Sequence, residues 1–279
     1  MKHSFAHPDF NLEATLDCGQ VFGFTKSSDN IYSGAIRGHA LSIWQKEKTL
    51  HFKPAANGIS KDLIEEYFDL KRDLTPIYDS LLSEECLAPA LEKFKGLRLI
   101  RQDSWEALAC FIISSNNNVK RIQGIWKNLC EYFSPVGATR RVAPTFPSAI
   151  QIAKVHERIL RELGLGYRAP FLHRTAIFLS TNPQYLETIR AASYDEAKKR
   201  VLNFPGIGPK VADCALLYGF HKLEAFPVDV WILRVMRRLY FKNRKVSEEK
   251  VHAFGQKRWG ERAGYVQQYL FHSVRMSIL

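Results

Sequence analysis

The stretch best equipped for chemistry is Leu202-Asn203-Phe204-Pro205-Gly206-Ile207-Gly208-Pro209-Lys210-Val211-Ala212-Asp213. Glycines two apart and bracketed by prolines sit poorly inside a helix, so one helix must end before Pro205 and another start near Pro209, where a missing N–H costs nothing. The outcome is a tight helical hairpin. Gly206 and Gly208 let a ligand approach the backbone, and the N–H groups at the new helix start suit a phosphate. Lys210 falls in the first turn of that helix, where the helix dipole and partial burial would pull its pKa from about 10.4 toward neutrality and make the amine a nucleophile. The same spacing also suits a plain helix–loop–helix turn whose exposed lysine touches phosphate. Further along, Phe226-Pro227-Val228-Asp229-Val230-Trp231 sets a carboxylate at a helix entry, a position that by itself suits an N-cap.

The elements around these residues follow from pattern. Between Gln20 and Lys53, segments rich in β-branched and aromatic residues at 21–24, 31–32, 40–44 and 49–52 alternate with turn residues, which reads as a small antiparallel sheet. From Ser60 onward the spacing turns helical, with helices expected at 61–69, 75–82, 87–94, 103–114, 118–132, 146–153, 155–163, 168–180, 182–191, 194–202, 209–219, 228–240, 247–258 and 261–275. The fold class is therefore α+β: a strand-bearing domain over 1–100 and a mainly helical region over 101–279, without repeats or low-complexity linkers.

The chain has 279 residues, 46% of them hydrophobic, enough for two ordinary cores. Forty basic residues against 28 acidic ones leave a formal charge of +12, which favours a polyanionic partner. The basic residues form clusters (Arg140 with Arg141, 198–200, 234–238 and 242–245) rather than a tail, as suits a folded surface. Five cysteines without CxxC or metal spacing argue against zinc and against a disulfide framework, and suit reduced thiols in a cytosolic protein. The N-terminal sequence lacks an apolar signal core and no apolar run is long enough for a bilayer, so no membrane partner is expected.

The hairpin, its lysine and the later aspartate together closely resemble the helix-hairpin-helix, Gly/Pro-rich loop and aspartate signature of base-excision DNA glycosylases. Four further segments resemble the 8-oxoguanine DNA glycosylase/AP lyases: Leu16-Asp17-Cys18-Gly19-Gln20-Val21-Phe22, the run from Phe111 through Asn116-Asn117-Asn118 to Ile122, Leu163-Gly164-Leu165-Gly166-Tyr167-Arg168-Ala169, and Gly264-Tyr265-Val266-Gln267-Gln268-Tyr269-Leu270-Phe271. The resemblance implies a bifunctional enzyme that flips 8-oxoguanine opposite cytosine out of duplex DNA and excises it. Lys210 would be the nucleophile, forming a Schiff base, and Asp229 its essential carboxylate. On the same grounds the Gly19 carbonyl would accept N7–H of the lesion, Gln267 would meet its Watson–Crick edge, and Phe271 and Cys214 would face its two sides. Asn116, Arg121 and Arg168 would address the orphaned cytosine, with Tyr167 as the inserted wedge. Gly206, Gly208 and Lys210 would grip phosphate.

No cofactor is implied beyond a potassium or calcium ion on the carbonyls of Leu202, Phe204 and Ile207. The expected setting is a monomer in the bacterial cytoplasm, on nucleoid DNA. Trp231 departs from the pattern, since animal members carry there a histidine that touches phosphate; the absence of a cysteine cluster after Asp229 excludes an iron–sulfur loop. Two rival readings are an alkyl-base or adenine glycosylase on the same scaffold and a non-catalytic helix-hairpin-helix DNA-binding module.

Overall fold

The computed structural model describes residues 2–56, 58–134 and 145–279; Arg140 and Arg141 lie outside the described residues. Five strands, β1 (His3–Ala6), β2 (Thr25–Lys26), β3 (Tyr32–Ile36), β4 (His39–Lys46) and β5 (Thr49–Pro54), form one antiparallel sheet in the order β1-β5-β4-β3-β2. Arg37 and Gly38, both at positive φ (46° and 83°), close the β3–β4 hairpin in two residues, as the sheet's twist demands. Ile43 pairs with Phe52, and both point into a core completed by Leu50, Ile64, Phe68 and Ile100.

The α-helices are α1 (Leu12–Asp17), α2 (Lys61–Tyr67), α3 (Thr75–Leu82), α4 (Ala88–Phe94), α5 (Ser104–Ser114), α6 (Val119–Phe133), α7 (Ala149–Ala153), α8 (Glu157–Leu160), α9 (Ala169–Thr181), α10 (Tyr185–Ala191), α11 (Tyr194–Leu202), α12 (Pro209–Gly219), α13 (Val230–Tyr240), α14 (Glu248–Trp259) and α15 (Ala263–Arg275). Helices α5, α12 and α15 are buried over most of their length and form the centre of the helical body. Gly219 permits the close crossing of α12 on α5, because a Cβ there would lie 2.9 Å from that of Ala107. Two N-terminal loops are tied together by Arg98, 1% exposed, whose guanidinium donates to the carbonyls of Asp69, Arg72 and Asp9 at 2.7–2.9 Å.

Three local expectations change. Residues 21–24 are not a strand: Val21 and Phe24 pack in the sheet core while Phe22 packs in the helical core, so the segment bridges two cores instead of pairing. β1 and α1 are additional elements; α1 carries a visible start signal, since Asn11 Oδ1 accepts from Ala14 N at 2.9 Å. The helix expected over 155–163 is shorter as α-helix and widens into a π-turn over Arg161–Leu165, where Gly164 takes φ 103°.

Glu106 on α5 accepts from Trp126 Nε1 at 2.9 Å, and burial pushes its carboxyl up to about 7, opposed by the Trp126 bond and helped by Asp103. A carboxyl whose folded pKa is raised binds its proton more tightly in the folded state, so stability falls as pH rises from about 4.5 through 7. Glu106→Gln keeps a neutral acceptor for Trp126. It should stabilise the protein by about 1–2 kcal/mol at pH 8 and by little at pH 5, read from urea unfolding at the two pH values.

Candidate active site

A cleft of about 460 Å³ is lined by Gly19, Phe22, Phe111, Lys210, Cys214, Tyr218, Asp229, Trp231, Gln267, Phe271 and Arg275, among others. The structure thus brings together, from four separate stretches, six residues singled out by sequence: Gly19, Lys210, Cys214, Asp229, Gln267 and Phe271.

Each is placed by its element. The hairpin forms as expected, with α11 ending at Leu202, Gly206 at φ 76°, and α12 starting at Pro209. Gly208 is the N-cap and makes no side-chain cap bond, so the first N–H groups of α12 stay available to an anion. Lys210 and Cys214 are four apart on α12, and Gln267, Phe271 and Arg275 repeat at the same spacing on α15, which puts each set on one helix face. Asp229 is the N-cap of α13: its Oδ1 accepts from Trp231 N at 3.0 Å and Ile232 N at 2.8 Å. No described residue donates to Oδ2, so the capping side chain keeps one carboxylate oxygen unengaged.

Gly19 takes φ 88°, a left-handed conformation that favours glycine, and a Cβ there would lie 2.7 Å from the mobile end of Arg275. Its neighbours are pinned. Gln268 Nε2 donates to Cys18 O at 3.1 Å, while fully buried Gln20 donates to Arg98 O at 2.8 Å and accepts from Ile100 N at 2.8 Å. Among the described residues nothing donates to the Gly19 carbonyl. Gln267, 4% exposed, donates to Pro227 O at 3.1 Å, and its Oε1 is buried without a partner. An unpaired buried acceptor costs about 1–3 kcal/mol unless a ligand supplies a donor.

The charge state of Lys210 corrects one expectation. Cys214 and Asp229 raise its pKa above the ordinary lysine value despite burial, rather than toward neutrality. Burial also pushes the Cys214 thiol up to about 11, so at neutral pH that group is uncharged and the Asp229 carboxylate supplies the lasting negative charge. The dipole and burial arguments are opposed at neutral pH by the Asp229 carboxylate, which lines the same cleft. The amine therefore rests as an ammonium, and any nucleophilic use of it would first require loss of a proton.

The residues expected to address an opposite base form a neighbouring rim instead of lining the cleft. Asn116 is exposed at φ 46° in the α5–α6 turn, and Arg121 is exposed on the first turn of α6. Tyr167 is 50% exposed, with its hydroxyl donating to Ser115 O at 3.2 Å. Arg168 is only 2% exposed; its Nε donates to Ser115 O at 2.7 Å and its Nη2 to Asn116 O at 2.6 Å, so this guanidinium holds the turn on which Asn116 sits. Sequence reasoning missed Arg275, which donates to Asp17 O at 3.3 Å and lies 5.7 Å over the Phe271 ring. Its signal was the four-residue step from Gln267 through Phe271. Trp231 is 48% exposed at the cleft mouth, with Arg234 5.4 Å over its ring.

Among the described residues no cluster of three or more His, Cys, Asp or Glu side chains forms a metal site, and the five cysteines are unpaired. No helix among those residues is long and apolar enough to cross a membrane.

Comparison with known proteins agrees with this geometry. Residues 3–108 match the 8-oxoguanine DNA glycosylase N-terminal domain, and residues 109–261 match the HhH-GPD superfamily of base excision DNA repair proteins. A probable N-glycosylase/DNA lyase of Methanothermobacter thermautotrophicus is 34% identical over 96% of this chain and 95% of its own. The Clostridium acetobutylicum 8-oxoguanine glycosylase/lyase, solved with double-stranded DNA containing cytosine opposite 8-oxoguanine, superposes with a TM-score of 0.91 at 29% identity, covering 100% of this chain and 99% of that one. A 3-methyladenine DNA glycosylase from Archaeoglobus fulgidus shares the fold at a TM-score of 0.80 and 22% identity, covering 100% of both chains. With a superfamily match over more than half its length and a relative aligned almost end to end, this chain belongs to the HhH-GPD base excision DNA repair proteins, in the branch built on an 8-oxoguanine DNA glycosylase N-terminal domain.

Proposed function

We propose that this enzyme flips 8-oxoguanine, paired with cytosine in duplex DNA, into the cleft, excises it, and then cleaves the strand at the abasic site. The observation that carries this reading is the convergence of Lys210 and Asp229 on a cleft whose wall offers two unpartnered acceptors, the Gly19 carbonyl and Gln267 Oε1. The lesion carries N–H at N7 where guanine carries a lone pair, so the Gly19 carbonyl welcomes one and repels the other. Gln267 Oε1 suits the N1–H and amino donors of a guanine edge. Cys214 and Phe271 bracket the base, and segment 1–100 serves mainly to hold the Gly19 wall against the helical region 101–279.

In the reaction, Asp229 stabilises positive charge developing on the sugar and helps take the proton from Lys210. The amine attacks C1′, the C1′–N9 bond breaks and the base leaves with the electron pair. Ring opening gives an imine between Lys210 and C1′. Loss of a C2′ proton then expels the 3′ phosphate by β-elimination. Gly206, Gly208 and Lys210 hold phosphate at the uncapped start of α12. The enzyme works as a monomer on chromosomal DNA in the cytoplasm. The carbonyls of Leu202 and Ile207 accept no backbone bond in the hairpin and that of Phe204 accepts one, from Ile207 N at 3.4 Å, so this turn fits a potassium or calcium ion, which would brace the phosphate grip.

Single-turnover excision on an 8-oxoguanine:cytosine duplex tests the reading. Release of methylated purines with none of 8-oxoguanine would favour an alkyl-base enzyme, and tight DNA binding without release of any base would favour a binding module. Arg121, exposed and without a side-chain partner among the described residues, is assigned to the orphaned cytosine. Arg121→Ala should lower the preference for cytosine over adenine opposite the lesion by about tenfold or more. An unchanged preference would remove the assignment. Arg168→Ala should relax the same preference and also lower stability by about 1–3 kcal/mol, because it strips donors from two carbonyls.

A further inference from the structure

The helix that carries Lys210 has no side-chain cap at its start, since its N-cap, Gly208, has no side chain to offer. Close packing along α12 and its crossing on α5 at Gly219 set where the helix lies, and polar bonds from neighbouring helices add directional constraints near its start. One turn after Lys210, Asp213 is 1% exposed and sits in a cluster the reaction does not use. Lys198 of α11 reaches Oδ1 at 2.9 Å and Oδ2 at 3.0 Å. Tyr194, also of α11, donates to Oδ1 at 2.6 Å. His252 of α14 lies 3.1 Å from Oδ2 and 3.0 Å from both Lys198 Nζ and the Tyr194 hydroxyl. Asp213, Lys198 and His252 border a second cavity, of about 740 Å³, which Lys210 also lines and which Phe271 and Gln267 do not.

We propose that Asp213, gripped by Lys198, Tyr194 and His252, is a positioning residue that locks the rotation of α12 so that the Lys210 amine points into the excision cleft rather than into the second cavity. The inference rests on Lys210 as nucleophile. A buried ion pair is weak evidence for stability, because desolvation offsets the attraction, but directional bonds from two other helices hold the start of α12 in one rotational setting. Lys210 borders both cavities, so a small turn of α12 exchanges a productive amine for an unproductive one.

The test compares single-turnover excision of 8-oxoguanine at saturating enzyme with affinity for a duplex carrying a tetrahydrofuran abasic analogue. In Asp213→Asn, excision should fall about tenfold to a hundredfold while affinity stays within about threefold, since misplacement by about 1 Å costs that much in rate. The double variant Lys198→Met/Asp213→Asn removes the stranded buried charge and should regain Tm without regaining rate. Excision at the wild-type rate in folded Asp213→Asn, or rate and Tm recovering together in the double variant, would overturn the proposal. Should Asp213→Asn not fold, Tyr194→Phe removes one donor only; a several-fold loss of rate at unchanged affinity supports the lock, and an unchanged rate refutes it. Lys210→Gln, run alongside, separates the two ideas: if it still excises, the nucleophile assignment fails, whereas an inert Lys210→Gln beside a fully active Asp213→Asn rejects the lock alone.

Discussion

Lys210→Gln is expected to abolish borohydride-dependent crosslinking to an 8-oxoguanine:cytosine duplex and to lower single-turnover excision by about 1,000-fold or more, the loss typical when a covalent nucleophile is removed. The variant keeps the hairpin, because glutamine preserves most of the side chain's length and is a good helix former. Affinity for an abasic-analogue duplex should therefore fall by no more than about tenfold, the worth of one charge among many phosphate contacts. An undiminished covalent complex with Lys210→Gln would falsify the assignment. The wild-type amine is held as an ammonium by its neighbours, so excision should speed up as pH rises from 6 toward 8, by up to about tenfold per unit while deprotonation limits the rate. A rate flat across that range would mean that the bound substrate takes the proton at a different step.

Asp229→Asn separates the two tasks of that side chain. Asparagine caps a helix about as well as aspartate, so Tm should change by no more than the equivalent of about 0.5 kcal/mol. The negative charge is lost, and with it both the field that favours positive charge on the sugar and the acceptor for the Lys210 proton. Excision should fall on the order of 100-fold or more. If Asp229→Asn instead loses stability and activity in step, the carboxylate acts through the cap, and the catalytic role belongs elsewhere. Asp229→Ala gives the complementary result, losing about 1 kcal/mol of stability as well as the rate.

Where side-chain spacing and backbone chemistry are local, the residues announced their structure in advance. The Pro-Gly-Ile-Gly-Pro run forces a hairpin whatever surrounds it, and Asn118, Ser193 and Ser247 each cap the helix that follows them. Helical periodicity located nearly every helix after Ser60 to within a few residues. The segment around Phe22 misled because period-2 alternation and a connection shared between two cores present the same run of apolar side chains. The resemblance of the closing segment pointed to Gln267 and Phe271 and stopped short of Arg275, one step further on the same face, whose partner, the Asp17 carbonyl, lies 258 residues away in the chain.

The amino-acid order by itself determined the hairpin, the capped aspartate and the run of helices, because caps, prolines, glycines and helical spacing act over a few residues. Only the tertiary structure decided that Gly19, Lys210, Asp229 and Gln267 share one cleft, that Arg168 holds a turn from within the protein, and that Lys210 rests as an ammonium. Those outcomes depend on burial and on charges brought close from distant segments, and the energy of a charge is set by everything within several ångströms of it, not by its neighbours along the chain.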